Sequence, residues 1–551
     1  MKIKLVFIGL LFFVATVLFA QKPDSYLGVN FTRQDSLRGS VTKERVWWDV
    51  KKYHLNLKVS PKDSAVIGSN KVTYVVLNEY SVMQIDLQEP LQITKITQNS
   101  AELDFTRDGS VYFVYLKKKQ EQGAVETLTI YYQGKPKTAV RAPWDGGVVW
   151  GKDENGKSFI ASSCQGIGAS VWWPNKDHLY DEVESMELSI NVPTDLVAVS
   201  NGRLKNKELL QDGTATYNWS IENPINNYGV NFSIGDYVSY SEQFVGEKGV
   251  LDCSYYVLKS NLTKAKNQFK DVSRMLKAFE HWFGPYPFYE DGYKLVETPF
   301  LGMEHQSAIS YGNGYRNGYR GIDLSGTGWG MNFDFIIIHE SAHEWFGNSI
   351  TNQDRADMWI HESFASYAES LFVEYYYGKK AGCEYVIGTR QNVVNDKNVI
   401  GFYDVNNHGS GDMYFKGANM LHTLRQIVDN DKQWRTILRG LNEAFYHQTV
   451  TTKQVERYLS KAIGRNVTAV FDQYLRDVRI PVLEYKIQKN KLLYRWTNCV
   501  SGFDMPVRIF ISNKGIWLKP SHNWKCKSIA SEKVGIRIDN NFYISENQIR
   551  N

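Results

Sequence analysis

The sequence predicts a multidomain α+β protein, with a β-rich N-terminal part, an α/β centre and a small β part at the end. Three observations carry this. Between Trp47 and about Tyr240, short runs alternate apolar with polar residues and are separated by turn residues. From about Asn261, apolar residues recur at threes and fours, the signature of one helix face. After Arg479-Ile480-Pro481 the alternation returns. With 551 residues the chain needs more than one core. The divisions fall at 21–240 for an all-β domain, 241–480 for the α/β domain and 481–551 for the C-terminal β domain.

In chain order, Met1 to Ala20 reads as a signal peptide. Lys2 and Lys4 give a basic start, Leu5 to Phe19 is apolar, and Ala20-Gln21 is a cleavage point. Export to the periplasm or out of the cell follows. No later stretch is long and apolar enough to cross a bilayer, so no membrane span is expected after cleavage. Tyr53, Leu55, Leu57 and Val59 mark the first strand, which Ser60-Pro61-Lys62-Asp63 turns. Val72–Val76, Leu128–Tyr132, Leu188–Val192 and Phe232–Ile234 continue the pattern as a twisted sheet or sandwich.

The helical part opens with Phe269, Val272, Leu276, Phe279 and Phe283, and stops where Gly284-Pro285 forbids continuation. Tyr293–Glu297 reads as a strand leading to Leu301-Gly302-Met303-Glu304-His305. Asn419–Asp431, Lys453–Ile463 and Val467–Asp477 read as helices, and Leu483–Ile487, Val507–Ile511 and Val534–Ile538 as the closing strands.

The chemistry concentrates between Phe333 and Glu369. His339-Glu340-Ser341-Ala342-His343 is an HEXXH motif inside an apolar run, and Gly347-Asn348 suits the end of its helix. Residues four apart share a helix face, so His339 and His343 can hold one metal ion. Glu340 points to a neighbouring side, where it can reach an activated water without ligating the metal. Glu362 lies nineteen positions beyond His343, on a second helix beginning near Met358. It completes a His-His-Glu set, three protein ligands with an open fourth position, as in a catalytic Zn²⁺ site.

These motifs, in this order, resemble the aminopeptidase N family of zinc aminopeptidases, members of the gluzincins, from about Trp47 to Pro481. His339 to Asn348 is similar to the family's metal helix and Trp359 to Tyr367 to its third-ligand helix. Phe283-Gly284-Pro285-Tyr286-Pro287 resembles the segment before its substrate strand, and Leu301 to His305 its G-x-M-E-N strand. The resemblance implies an N-terminal β saddle or sandwich, a thermolysin-like α/β catalytic domain and one Zn²⁺ per chain. It further implies that Glu304 binds the substrate's free α-amine with help from Gln165. Gly302 and Met303 would line the same substrate strand. Tyr414 would steady the oxyanion, and Glu340 would act as general base. Leu301, His305, His361 and Ser363 depart from the family's usual Gly, Asn, Asn and Gly. The large helical C-terminal domain of many relatives is absent from the pattern.

A net charge of +5 over this length, with no basic block, leaves nucleic acid an unexpected partner. The expected partners are peptides with a free N-terminus; the sequence is silent on oligomeric state and on the preferred first residue. A zinc endopeptidase with the same ligand set, and an exported peptide-binding protein on a peptidase scaffold, stay open as alternatives. Glu304 argues against the first and Glu340 with Tyr414 against the second. Among five cysteines, Cys499 and Cys526 share the C-terminal segment and are expected to pair in an exported chain.

Overall fold

The computed structural model describes residues 30–531 and 535–550. The signal segment Met1–Ala20, and Val534 of the last expected strand, lie outside the described residues.

The N-terminal part is built on an eight-stranded sheet. Its central strand, Trp48–Ser60, pairs antiparallel with Ala65–Val76 on one side and parallel with Ser185–Pro193 on the other. Period-two patterning explains which face packs. In Ser185–Pro193 the residues Met186, Leu188, Ile190 and Val192 are buried, and in the neighbouring Thr214–Ile221 so are Ala215, Tyr217, Trp219 and Ile221. A four-stranded sheet (Val197–Ser200, Phe232–Gly235, Ser158–Ser163, Gly147–Lys152) completes this core. Its strand Ser158–Ser163 ends two residues before Gln165 and brings that residue to the second half of the chain. Two short helices, Arg33–Gly39 and Lys43–Val46, precede the first strand, so the domain is not all β as expected. The first carries a capping box, in which Thr32 and Asp35 satisfy each other's backbone N–H groups.

The second half of the chain starts earlier than expected. Strand β1 (Tyr237–Gly246) spans position 240, but it belongs to the second sheet, with β2 (Gly249–Leu258), β3 (Tyr293–Glu297), β4 (Gly302–Met303) and β5 (Ile309–Tyr311) in the order β1-β2-β3-β5-β4. The β1·β2 hairpin is antiparallel, β2·β3 and β3·β5 are parallel, and β4 runs antiparallel along the edge. Helix α1 (Lys270–Phe283) packs its apolar face here and stops at Gly284, whose φ of 97° is open to glycine.

Helix α2 (Phe335–Ala342) carries the first motif and is buried all round. Its start is set by Asp334, whose carboxylate accepts from the backbone N–H of Ile336 (3.1 Å) and Ile337 (3.4 Å). The same carboxylate accepts from Tyr311, Asn313 and Gln268, tying the cap to the sheet. A cap of this kind is worth about 1 kcal/mol. The regular helix ends at Ala342 rather than near Gly347, yet His343 keeps helical dihedrals (φ −65°, ψ −17°) and so stays one turn above His339. Helix α3 (Trp359–Tyr377) supplies Glu362 from its first turn, where the helix dipole favours an anion. Helix α4 (Phe415–Val428) follows Tyr414.

The chain beyond Pro481 forms two small sheets, with strand orders Lys525–Ser528, Lys491–Thr497, Val482–Gln488, Ser545–Gln548 and Lys514–Leu518, Val507–Ile511, Ile536–Ile538. Leu483, Trp496, Phe503 and Ile509 are continuous with the apolar cluster of α1 to α4. Tyr474 donates its hydroxyl to the carbonyl of Tyr543, and Tyr543 N–H donates to Thr423 of α4.

The expected Cys499–Cys526 disulfide is absent; both thiols are free. Register is the reason. Cys526 lies opposite Leu493, whereas Cys499 falls six residues past Leu493, beyond the strand's end. At about 3.4 Å per residue that is up to roughly 20 Å along the strand, far outside a disulfide's Cα separation.

Candidate active site

α2 and α3 bring His339, His343 and Glu362 together. One potential ligand atom from each lies within 4.8 Å of the others, and both Nε2 atoms are 3.5 Å from Glu362 Oε2. The far side of each imidazole is fixed. His339 Nδ1 contacts Glu369 Oε1 at 2.8 Å, and His343 Nδ1 contacts the Phe346 carbonyl at 2.9 Å. Both partners only accept, so each Nδ1 carries the proton and each Nε2 faces Glu362. Glu369 is itself held by the Tyr385 hydroxyl (2.7 Å).

With both imidazoles neutral, three acceptor atoms converge on one buried point. Glu362 Oε2 finds no hydrogen-bond donor among the described residues. Burial works against charge on His339, but Glu362 and Glu369 outweigh it and hold His339 well above the usual imidazole range. Likewise Glu362 and Glu304 raise His343 to about 9. The same uncompensated negative charge is met by a divalent cation, and the donor set of two imidazoles and one carboxylate fits zinc.

These residues lie at the base of a cleft of about 410 Å³, walled by Trp144, Leu301, Tyr319, Phe335 and Phe415 among others. Glu340 faces this cleft with Gly302 pressed against it. A Cβ at Gly302 would come within 2.9 Å of Glu340 Oε1, so no side chain fits there. Burial raises the Glu340 carboxyl to about 7, and a cation beside it would pull it back down. Glu304 is at the N-domain end, within hydrogen-bond reach of Gln165. The Gln165 amide also donates to Glu362 Oε1 at 3.0 Å, which joins the two carboxylates through one side chain. The Glu304 backbone carbonyl is anchored by Asn348 Nδ2 at 2.9 Å. Tyr414 stacks on His339, with ring centroids 5.9 Å apart.

The structure thus gathers Glu340, Tyr414, Glu304, Gln165 and Gly302 around the three ligand candidates. Met303 is placed differently. Its side chain is buried away from the cleft, with its sulfur accepting from the Ser163 hydroxyl. His361 and His305, two of the four departures from the family pattern, are buried, and burial lowers both to about 3. His361 accepts from Asn352 N–H at 3.1 Å, and His305 contacts Ser310. Sequence reasoning missed Glu369. Its position seven residues after Glu362, two turns along the same face, was the available signal.

Fold and site together define a two-domain metallopeptidase architecture. Residues 50–228 match the Peptidase M1 N-terminal domain and residues 268–474 the Peptidase family M1 domain. The chain belongs to peptidase family M1. It is similar to endoplasmic reticulum aminopeptidase 1 of Mus musculus, at 22% identity covering 60% of this chain and 36% of that protein. It is also similar to probable aminopeptidase 1 of Saccharolobus solfataricus, at 21% identity covering 77% of this chain and 54% of the relative. The chain thus spans about a third to a half of these relatives. Among solved structures, a mutant of the M1 zinc metallopeptidase from Deinococcus radiodurans superposes with a TM-score of 0.66 at 20% identity, over 78% of this chain and 95% of that one.

Proposed function

We propose that this chain is a zinc-dependent aminopeptidase that removes N-terminal residues from peptides. The observation that carries the reading is Glu304, a buried carboxylate facing the cleft and bridged by Gln165 to the ligand carboxylate. An endopeptidase has no use for such an anion at that place.

Burial pushes the Glu304 carboxyl up, so as a carboxylate it calls for a cationic partner. A peptide α-ammonium supplies one. The Gln165 amide N–H₂ is spent on Glu304 and Glu362, which leaves its carbonyl oxygen to accept from the same ammonium. The pair measures one residue from the chain end to the reacting carbonyl. Zinc, held by His339, His343 and Glu362, would supply Lewis acidity that polarises the scissile carbonyl and acidifies water. Glu340 takes the proton of the attacking water and hands it to the leaving amine. The Tyr414 hydroxyl donates to the oxygen on which negative charge develops.

One zinc per chain is expected. Metal analysis of purified protein should give about one equivalent, as a single three-ligand site requires. Full retention of zinc in a His343→Ala, Glu362→Ala double variant would refute the assignment. Met1–Ala20 supports export to the periplasm or beyond. N-terminal sequencing of protein recovered from the native host should then begin at Gln21; a start at Met1 would contradict it.

A further inference from the structure

We infer that Ser363 is a positioning residue for Tyr414, acting through one hydrogen bond to the backbone that carries the tyrosine. The inference rests on the aminopeptidase reading and extends it to a residue with no assigned role.

Ser363 follows Glu362 on α3 and is fully buried. Its hydroxyl donates to the carbonyl of Met413 at 2.6 Å. That carbonyl belongs to the peptide plane joining Met413 to Tyr414, so fixing it fixes where the Tyr414 side chain departs. The tyrosine needs such a restraint. It stands between a 3₁₀ turn (Gly411–Met413) and α4, with φ −73° and ψ −82°, outside the ordinary helical range. The far side of the turn is tied down independently: Asp412 accepts from the backbone N–H of Val394 (2.8 Å) and Asn395 (2.6 Å). The tie facing the catalytic centre is Ser363.

The contact is shaped for a hydroxyl. A Cβ on Gly417, in the first turn of α4, would lie 1.8 Å from Ser363 Oγ. Gly417 thus opens the space that Ser363 fills, and the two helices meet at the point where one delivers a zinc ligand and the other the tyrosine. Ring stacking on His339 steers Tyr414 from one side, and the Met413 carbonyl holds its backbone from the other. Displacement of a transition-state donor by a fraction of an ångström costs rate without costing substrate affinity.

The test is a double-mutant cycle read in kcat and KM. Ser363→Ala should lower kcat roughly tenfold on a free peptide, with KM within about twofold and zinc content unchanged. In a Tyr414→Phe background the same change should cost less than about twofold, because the hydroxyl being positioned is gone. Ser363→Gly combined with Gly417→Ala moves the methyl-sized volume across the contact without restoring a donor, and should stay as slow as Ser363→Gly alone. Unchanged kcat in Ser363→Ala, equal losses in both backgrounds, or recovery in the volume swap would each overturn the role. A wild type that turns over no free peptide would sink the aminopeptidase reading, and this inference with it. An active wild type with additive losses would sink only the inference.

Discussion

Glu340→Gln should bring hydrolysis close to a halt on every peptide, with folding and zinc content unchanged. The carboxylate lies on α2 one residue from His339 and lines the cleft beside the three ligand candidates without being one of them. Glutamine has the same length and fits the same space against Gly302, so packing is preserved and only proton transfer is lost. General base catalysis contributes about 10²–10⁴-fold, and kcat should fall by that order with zinc stoichiometry unchanged. Blocked and unblocked substrates should suffer alike. A variant that kept kcat within tenfold of wild type would remove Glu340 from the mechanism and leave the water's proton without an acceptor in this site.

Glu304→Gln gives a different signature. The side chain keeps its shape and its neighbour Gln165 but loses the charge that pairs with the substrate amine. A free α-amine has a pKa of about 8 and is largely protonated at neutral pH, so the lost interaction is a charge-assisted hydrogen bond worth roughly 1.5–3 kcal/mol. On unblocked peptides kcat/KM should drop about 10–200-fold. Wild type should barely cleave N-acetylated versions of the same peptides, because acetylation removes the cation that Glu304 recognises. Equal rates on acetylated and free peptides would replace the aminopeptidase reading with the endopeptidase alternative. Between them, the two glutamine variants separate recognition of the chain end from hydrolysis.

How much was legible in the sequence follows from the range of each signal. The ligand set was readable because helical spacing is local: four residues put His339 and His343 on one face, and the apolar run around them required a buried helix. The β–αβ–β order was readable because periods of two and of three to four differ over a few residues. Long-range facts were not. Nothing in the alternation of Leu483–Ile487 says that its apolar residues join the cluster of α1 to α4. Nothing in the spacing of Cys499 and Cys526 gives the register that keeps them apart. The boundary placed at about Tyr240 cuts through the strand Tyr237–Gly246 for the same reason, since strand pattern does not reveal strand partner. Glu369 is the intermediate case: its place on the face of Glu362 was visible, but its bond to His339 needed the crossing of two helices. Ser363 was visible only as a departure from a family pattern, and its contact with Met413 spans fifty positions of chain.

That the buried apolar residues beyond Pro481 join the cluster of α1 to α4 has a consequence for how this molecule can vary. A segment with its own interior can be exchanged or dropped at a seam, and the remainder keeps its shape. Here Arg390 lies over the ring of Tyr543, Arg508 pairs with Asp429 at the end of α4, and Thr423 of α4 receives the Tyr543 amide. The terminal sheets are tied to the helix that begins directly after Tyr414. Inheritance therefore has to treat residues 237–550 as one piece. A change at Tyr543 or Arg508 is a change to a contact of α4, and a sheet borrowed from another protein would have to be refitted to Thr423 and Asp429.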